Sequence, residues 1–205
     1  ASDGYQEAGR VGAVNLLPQR RRSLVEVPGY EPVLVELDGF AGRTVELELA
    51  RTATPRDGDA IENDRFRVQA SVDGTFSVTD LRSGRRFARL HAIEDEPDMG
   101  DLYTFCPVER AAVWRAAAAQ VRVLAEGPAV WELELIVRGR GAFMLRTIVR
   151  LIAGSDRIEL RTTIDNDAPD HRLRAVFAVP DAPGPSRPGR RTPPARAAAA
   201  AHRVG

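Results

Sequence analysis

Across residues 33–179 apolar and polar positions alternate with period two far more often than with period 3.6, the signature of strands that bury one face. Val33, Val35 and Leu37 alternate with Leu34 and Glu36, and Val45, Leu47 and Leu49 with Glu46 and Glu48. Asp38-Gly39 and Ala41-Gly42 supply turn chemistry between these runs, so they read as a hairpin. A sharper hairpin follows. Phe66, Val68, Ala70 and Val72 face one way, Arg65, Arg67, Gln69 and Ser71 the other, and Asp73-Gly74 leads into Phe76 and Val78. Asp-Gly tolerates the positive φ angles of a tight turn. Ser83-Gly84 closes another turn before Phe87.

Farther on, Val121, Val123 and Leu124 stand before Gly127-Pro128 and Trp131, Leu133, Leu135 and Val137 after it, which predicts another antiparallel pair. Residues 143–152 are apolar on both parities, as expected of a central strand buried on both faces. Gly154-Ser155-Asp156 turns that strand into Ile158, Leu160, Thr162 and Ile164, and a last strand carries Leu173, Ala175, Phe177 and Val179. Many short strands joined by Gly, Asp and Pro turns predict an all-β fold, an antiparallel β-sandwich. Residues 108–120 dissent. Their alanine run has helical propensity but is too short for an independent helix, which predicts a surface loop with a helical turn.

Two shifts in composition divide the chain. Residues 52–59, with Pro55, Gly58 and mixed charge, read as a connector, so residues 1–58 are N-terminal strands plus connector and residues 59–180 the main sandwich. After Val179 the alternation stops. Residues 181–205 hold five prolines, five arginines, one acid and a run of five alanines, which predicts a disordered cationic tail.

The 205 residues are 43% apolar and 28% charged, an ordinary globular composition large enough for a real core. The 29 basic and 29 acidic residues cancel, which argues against nucleic acid or an anionic membrane as partner. All 29 basic residues are arginine. One cysteine, Cys106, and three histidines, His91, His171 and His202, place a closed Cys/His zinc site out of reach. The first residues lack a signal-peptide layout and no run is long and apolar enough to span a bilayer, so a soluble cytoplasmic chain is expected; it starts at Ala1 and reads as a fragment of something longer.

Candidate chemistry concentrates in residues 94–107. Glu94, Asp95, Glu96, Asp98 and Asp101 put five carboxylates in eight residues, a set that suits Ca²⁺ ligation, acid–base work on a glycosidic bond or plain solvation. Tyr103 and Phe105 follow, either as sugar-stacking aromatics or as core residues. Asp170-His171-Arg172 suggests an acid-oriented histidine, but neighbours on a strand point to opposite faces, and a surface or turn histidine is the simpler reading. Cys106, with no basic neighbour, reads as a buried inert thiol.

Several strings are similar, in order, to the C-terminal β region of glycoside hydrolase family 38 α-mannosidases. They are Ala13-Val14-Asn15-Leu16-Leu17-Pro18 with Arg20-Arg21-Arg22, Ile61-Glu62-Asn63-Asp64-Arg65-Phe66, and Asp73-Gly74-Thr75-Phe76 with Ser83-Gly84. Gly100-Asp101-Leu102-Tyr103-Thr104-Phe105-Cys106-Pro107, Ala153-Gly154-Ser155-Asp156 and Ile164-Asp165-Asn166 with Asp170-His171-Arg172 continue the series. The resemblance covers about residues 11–179 and implies a galactose-mutarotase-like supersandwich, here cut short. It further implies a separate N-terminal catalytic domain as partner, which holds the zinc and the nucleophile of a retaining α-mannoside hydrolysis; no cofactor is expected in this chain itself. In such enzymes the β region lends a tyrosine to the sugar pocket. That role falls on Tyr103, with Asp101 beside it as a second substrate contact and no catalytic residue in the chain. Without the resemblance, the residues also fit a free-standing carbohydrate-binding module. The departure after Val179 is what a truncated gene or a shifted reading frame would produce.

Overall fold

The computed structural model describes residues 9–50, 54–101, 103–140 and 143–178, together with the backbone of 196–198. Its strands run β1 (Gly9–Val14), β2 (Arg21–Val25), β3 (Val33–Leu37), β4 (Gly42–Leu47), β5 (Arg56–Asp57), β6 (Ala60–Glu62), β7 (Phe66–Ala70), β8 (Phe76–Asp80) and β9 (Arg86–Leu90). Then come β10 (Ala92–Pro97), β11 (Trp114–Arg115), β12 (Ala119–Glu126), β13 (Val130–Arg138), β14 (Phe143–Ile152), β15 (Ile158–Asn166), β16 (His171–Ala178) and β17 (Arg196–Ala198). The fold is all-β and antiparallel throughout, as the alternation requires, with no helix among the described residues.

A five-stranded sheet, in the order β15-β14-β13-β12-β5, forms one layer. Two four-stranded sheets, β6-β7-β8-β9 and β11-β10-β16-β17, cover its inner face. Ile61, Val68, Phe76 and Val78 meet Val123, Leu133, Val149 and Leu151 under the first of these sheets. Ile93 meets Val137, Phe143 and Leu145 under the second, with Leu173, Ala175 and Trp114 packed around them. The chain passes from one covering sheet to the other at His91, between β9 and β10, where Arg89 and His91 both take positive φ, 55° and 64°. His91 is buried between the rings of Phe76 and Phe177, and its Nε2 lies 3.3 Å from Thr147 Oγ1.

The Asp73-Gly74 hairpin forms between β7 and β8 as its sequence predicts. Asp73 Oδ1 accepts from the Thr75 amide at 3.0 Å and hydroxyl at 2.7 Å, and Gly74 sits at φ 79°. A side chain at Gly74 would also meet Val137 Cγ2 at 2.7 Å, so this turn is packed against the opposite layer. The pairing of β12 with β13 across Gly127-Pro128 likewise forms.

Three expectations are corrected. β3 and β4 do not form a hairpin: β3 pairs with β2 and β4 with β1, and the two ribbons face each other over Val35, Val45 and Leu47. A second loop intervenes, since Asn15 N donates to Ala41 O at 2.8 Å and Phe40 N to Leu17 O at 3.0 Å. Asn15 Nδ2 then reaches Gln19 O at 2.8 Å and Asp38 O at 2.9 Å, tying the two loops together. β14 buries only one face, through Phe143, Leu145, Thr147, Val149 and Leu151. Its other face is half-covered by ion-paired arginines such as Arg150 with Glu132 at 2.8 Å. Residues 108–120 hold no helical turn; Ala111 N bonds Val108 O at 3.1 Å in an isolated turn, and the chain enters β11 and β12 because Trp114 and Ala119 pack into the core beside β10.

Within residues 52–59, β5 pairs with β12 at the edge of the main sheet. The tail, residues 181–205, lies outside the described residues apart from the backbone of 196–198, which pairs with β16.

Candidate functional site

The carboxylate-rich segment is a strand followed by a loop. β10 carries Glu94, Asp95 and Glu96, and beyond it the chain folds back so that Asp98 and Pro107 bridge and Met99 N donates to Cys106 O at 2.9 Å. Period-two alternation sends Glu94 and Glu96 to one face and Asp95 to the other. On the antiparallel neighbour β16, Arg174 stands opposite Glu94 and Arg172 opposite Glu96, while β11 sets Arg115 against Glu94.

The result is a ladder of alternating charge. Glu94 Oε1 accepts from Arg115 Nε at 3.1 Å and Nη2 at 2.9 Å, and its Oε2 from Arg174 Nη2 at 3.0 Å. Arg174 Nη2 also reaches Glu96 Oε1 at 2.7 Å, and Glu96 Oε1 accepts from Arg172 Nε at 2.9 Å and Nη2 at 2.5 Å. On the other face, Asp95 Oδ1 lies 2.5 Å from His171 Nδ1, and His171 Nε2 lies 3.0 Å from Asn166 Oδ1.

The loop's own acids bind backbone. Asp98 Oδ1 accepts from the amides of Gly100 at 2.8 Å and Cys106 at 2.9 Å; these bonds, aided by Arg172 nearby, hold its carboxyl below the usual carboxylate range. Asp101 Oδ1 accepts from the amides of Tyr103 at 2.9 Å and Thr104 at 2.7 Å, which lower it likewise. Phe105 packs its ring on Arg172, whose guanidinium carbon stands 3.3 Å from the ring centroid. Tyr103 packs on nothing of the kind: it is 94% exposed, and Met99 of the same loop is 65% exposed. A shallow depression lined by Pro97, Asp98, Met99, Gly100, Val108 and Asp170 lies at the base of the loop.

Every carboxylate of residues 94–101 is therefore engaged, three by cationic or imidazole partners on β11 and β16 and two by amides of their own loop. The solvated-loop reading gives way for Glu94, Asp95 and Glu96, which are paired on the sheet, and fits Asp101, which is exposed in the loop. Among the described residues no group of three or more His, Cys, Asp and Glu side chains is placed to hold a metal ion, so this donor set does not fit zinc. The core reading of Tyr103 is overturned by its exposure. Cys106, expected buried, is exposed, because its neighbour Phe105 takes the inward position. His171 is not buttressed by Asp170, whose backbone turns away at φ 48° and accepts from Asp98 N at 2.8 Å through its carbonyl. Its partner is Asp95, 76 residues earlier. Arg115 was not singled out, and although Asn166, His171 and Arg172 stood in the family-like strings, the pairing of β16 with Glu94, Asp95 and Glu96 was not foreseen. A usable signal existed in the complementary period-two patterns Glu94-Asp95-Glu96 and Arg172-Leu173-Arg174, two strands whose charges match when laid antiparallel.

Comparison with known proteins bears on this geometry. The family described as "Glycosyl hydrolases family 38 C-terminal domain" matches residues 61–180. A protein of Halalkalibacterium halodurans named "Putative mannosylglycerate hydrolase" is 25% identical over 158 residues, which take in 62% of this chain and 18% of that protein. Two solved structures superpose with TM-scores of 0.58: a glycosyl hydrolase family 38 protein from Enterococcus faecalis, 16% identical, and an alpha-mannosidase from E. faecalis V583, 17% identical. They cover 82% and 84% of this chain, which in turn spans 26% and 27% of theirs. This chain thus matches about a quarter or less of the length of each.

Proposed function

The chain belongs to glycosyl hydrolase family 38 through the C-terminal domain of mannosidase-like proteins, and from that premise we propose that it is the accessory β-sandwich of an α-mannoside hydrolase. The zinc and the nucleophile of a retaining mechanism reside, in this reading, in a catalytic portion of the polypeptide outside this chain. The observation that carries it is Tyr103: a large aromatic, 94% exposed, on a loop whose flanking amides are already capped by Asp98 and Asp101. Exposing such a ring on a stiffened loop has no folding benefit, whereas a phenol there donates to a sugar hydroxyl and offers its face to sugar C–H groups. Asp101 holds the Tyr103 backbone through its amide and adds a carboxylate beside the sugar.

The test is kinetic. In a polypeptide joining this domain to its catalytic portion, Tyr103→Phe lowers kcat/KM for a nitrophenyl α-mannoside by about tenfold, the loss of one hydrogen bond strengthened in the transition state. The 205-residue chain alone retains no stoichiometric zinc and releases no nitrophenol. Unchanged kinetics in the variant refute the role of Tyr103, and a tightly bound zinc in the isolated chain refutes the division of labour. The second reading, a free-standing carbohydrate-binding module, is favoured by the closed two-layer core; it requires the isolated chain to bind α-methyl mannoside by itself.

A further inference from the structure

The local bonds of the Tyr103 loop fix its internal shape, yet they leave open what fastens it to the body. Asp98 and Asp101 cap amides two to eight residues away, all inside the loop. Among the described residues two contacts reach outward: Asp98 N to Asp170 O at 2.8 Å, near the loop's root, and the Phe105 ring on Arg172, two residues from Tyr103; the charge of Arg172 also acts on Asp98. The second contact is the one nearer the tip.

We propose that Arg172 is the positioning residue of the Tyr103 loop, acting through the flat face of its guanidinium, clamped between the Glu96 carboxylate and the Phe105 ring. The ladder prepares that face in advance. Glu96 accepts from Arg172 through both Nε and Nη2, which orients the guanidinium plane and leaves a face for the ring. Glu96 is held in turn by Arg174, and Arg174 by Glu94, whose carboxylate is buried. The clamp thus stands on a strand pair inside the fold, and the loop does not need its own apolar core. Arginine suits this role and lysine does not, since a point charge pairs with Glu96 without presenting a planar surface to an aromatic ring. The consequence for substrate rests on the reading of Tyr103 as a sugar contact; the clamp itself does not.

The experiment uses the full 205-residue chain, labelled with 15N, and reads backbone order parameters at Tyr103 and Thr104. In the wild type both match the strands, near 0.85. In Phe105→Leu, which keeps the whole charge ladder, and in Arg172→Lys, which keeps the charge, they fall below about 0.6 while β10 and β16 are unchanged. Phe105→Trp restores them. Wild-type order in Arg172→Lys shows that charge alone suffices and overturns the proposal, as does wild-type order in Phe105→Leu, a variant that leaves the ladder and its fold intact. In the polypeptide carrying the catalytic portion, Phe105→Leu raises KM for the nitrophenyl α-mannoside more than it lowers kcat. A loosened loop with unaltered kinetics instead refutes the sugar role of Tyr103 and leaves the clamp standing.

Discussion

Replacing Glu94 by glutamine removes one charge without changing shape, at a site where burial makes the charge matter. Its side chain is 6% exposed and accepts three bonds from two arginines. Breaking a buried pair costs about 3–5 kcal/mol when a charge is stranded, but neither arginine is stranded here. Arg115 is 58% exposed and rehydrates, which makes its share close to the ~0–1 kcal/mol of a surface pair. Arg174 is 17% exposed and would face an amide N–H₂ in place of Glu94 Oε2, yet it keeps Glu96 at 2.7 Å. The remaining loss is one desolvated charge-assisted bond, about 1.5–3 kcal/mol. For a chain of 205 residues, at about 2–4 °C per kcal/mol, that lowers Tm by roughly 3–12 °C. Differential scanning calorimetry measures it, with Glu46→Gln as control. Glu46 pairs with Arg10 at 2.9 Å where both side chains are about two-thirds exposed, so its loss of about 0–1 kcal/mol shifts Tm by at most about 2–4 °C. Raising the salt concentration erases the control shift and leaves most of the Glu94 shift. Equal shifts in the two variants would refute the claim that burial, not pairing, sets the strength of this ladder.

Burial holds His91 below the usual histidine value, with the Gly74 backbone pulling weakly the other way, so the folded state keeps a neutral ring where the unfolded chain takes up a proton. Stability from this site is therefore full above about pH 6.5 and declines as pH falls below it; urea midpoints between pH 7.5 and 5.5 show the slope, and His91→Asn, which tolerates the positive φ, flattens it. Gly74→Ala forces a side chain into φ 79° and against Val137 Cγ2 at 2.7 Å, and destabilises by about 1–3 kcal/mol in a denaturant titration. A loss below a few tenths of a kcal/mol there would mean that the turn gives way freely.

The fold was legible wherever the signal was local. The alternation of residues 66–80 and 121–137, with Asp-Gly and Gly-Pro between the runs, led to the observed hairpins because turn and strand chemistry agree there. β1 and β2 left no comparable trace: Gly9, Gly12, Arg21 and Ser23 interrupt the apolar pattern, and these are the strands that claim β4 and β3. The loop of the candidate site was found by composition. Its support was not, since Glu94 and Arg174 meet across 80 residues, and a pairing of that range follows from strand register alone. The residues read alone left Tyr103 open between core and pocket, and only the family resemblance pointed to the accessible position it takes.

The passage through His91 bears on how this domain can be taken apart. Since β9 and β10 are one run of chain serving both covering sheets, no cut near residue 91 separates the hairpin half from the half that carries the loop. Nor is the loop a portable cassette. Residues 97–108 moved to another scaffold arrive without β10, β11 and β16, and so without the arginines and carboxylates that aim Tyr103. A chimera that keeps the aim must carry everything from β5 through β16, the Asp73-Gly74 turn packed on Val137 included: the transplantable unit is the whole sandwich.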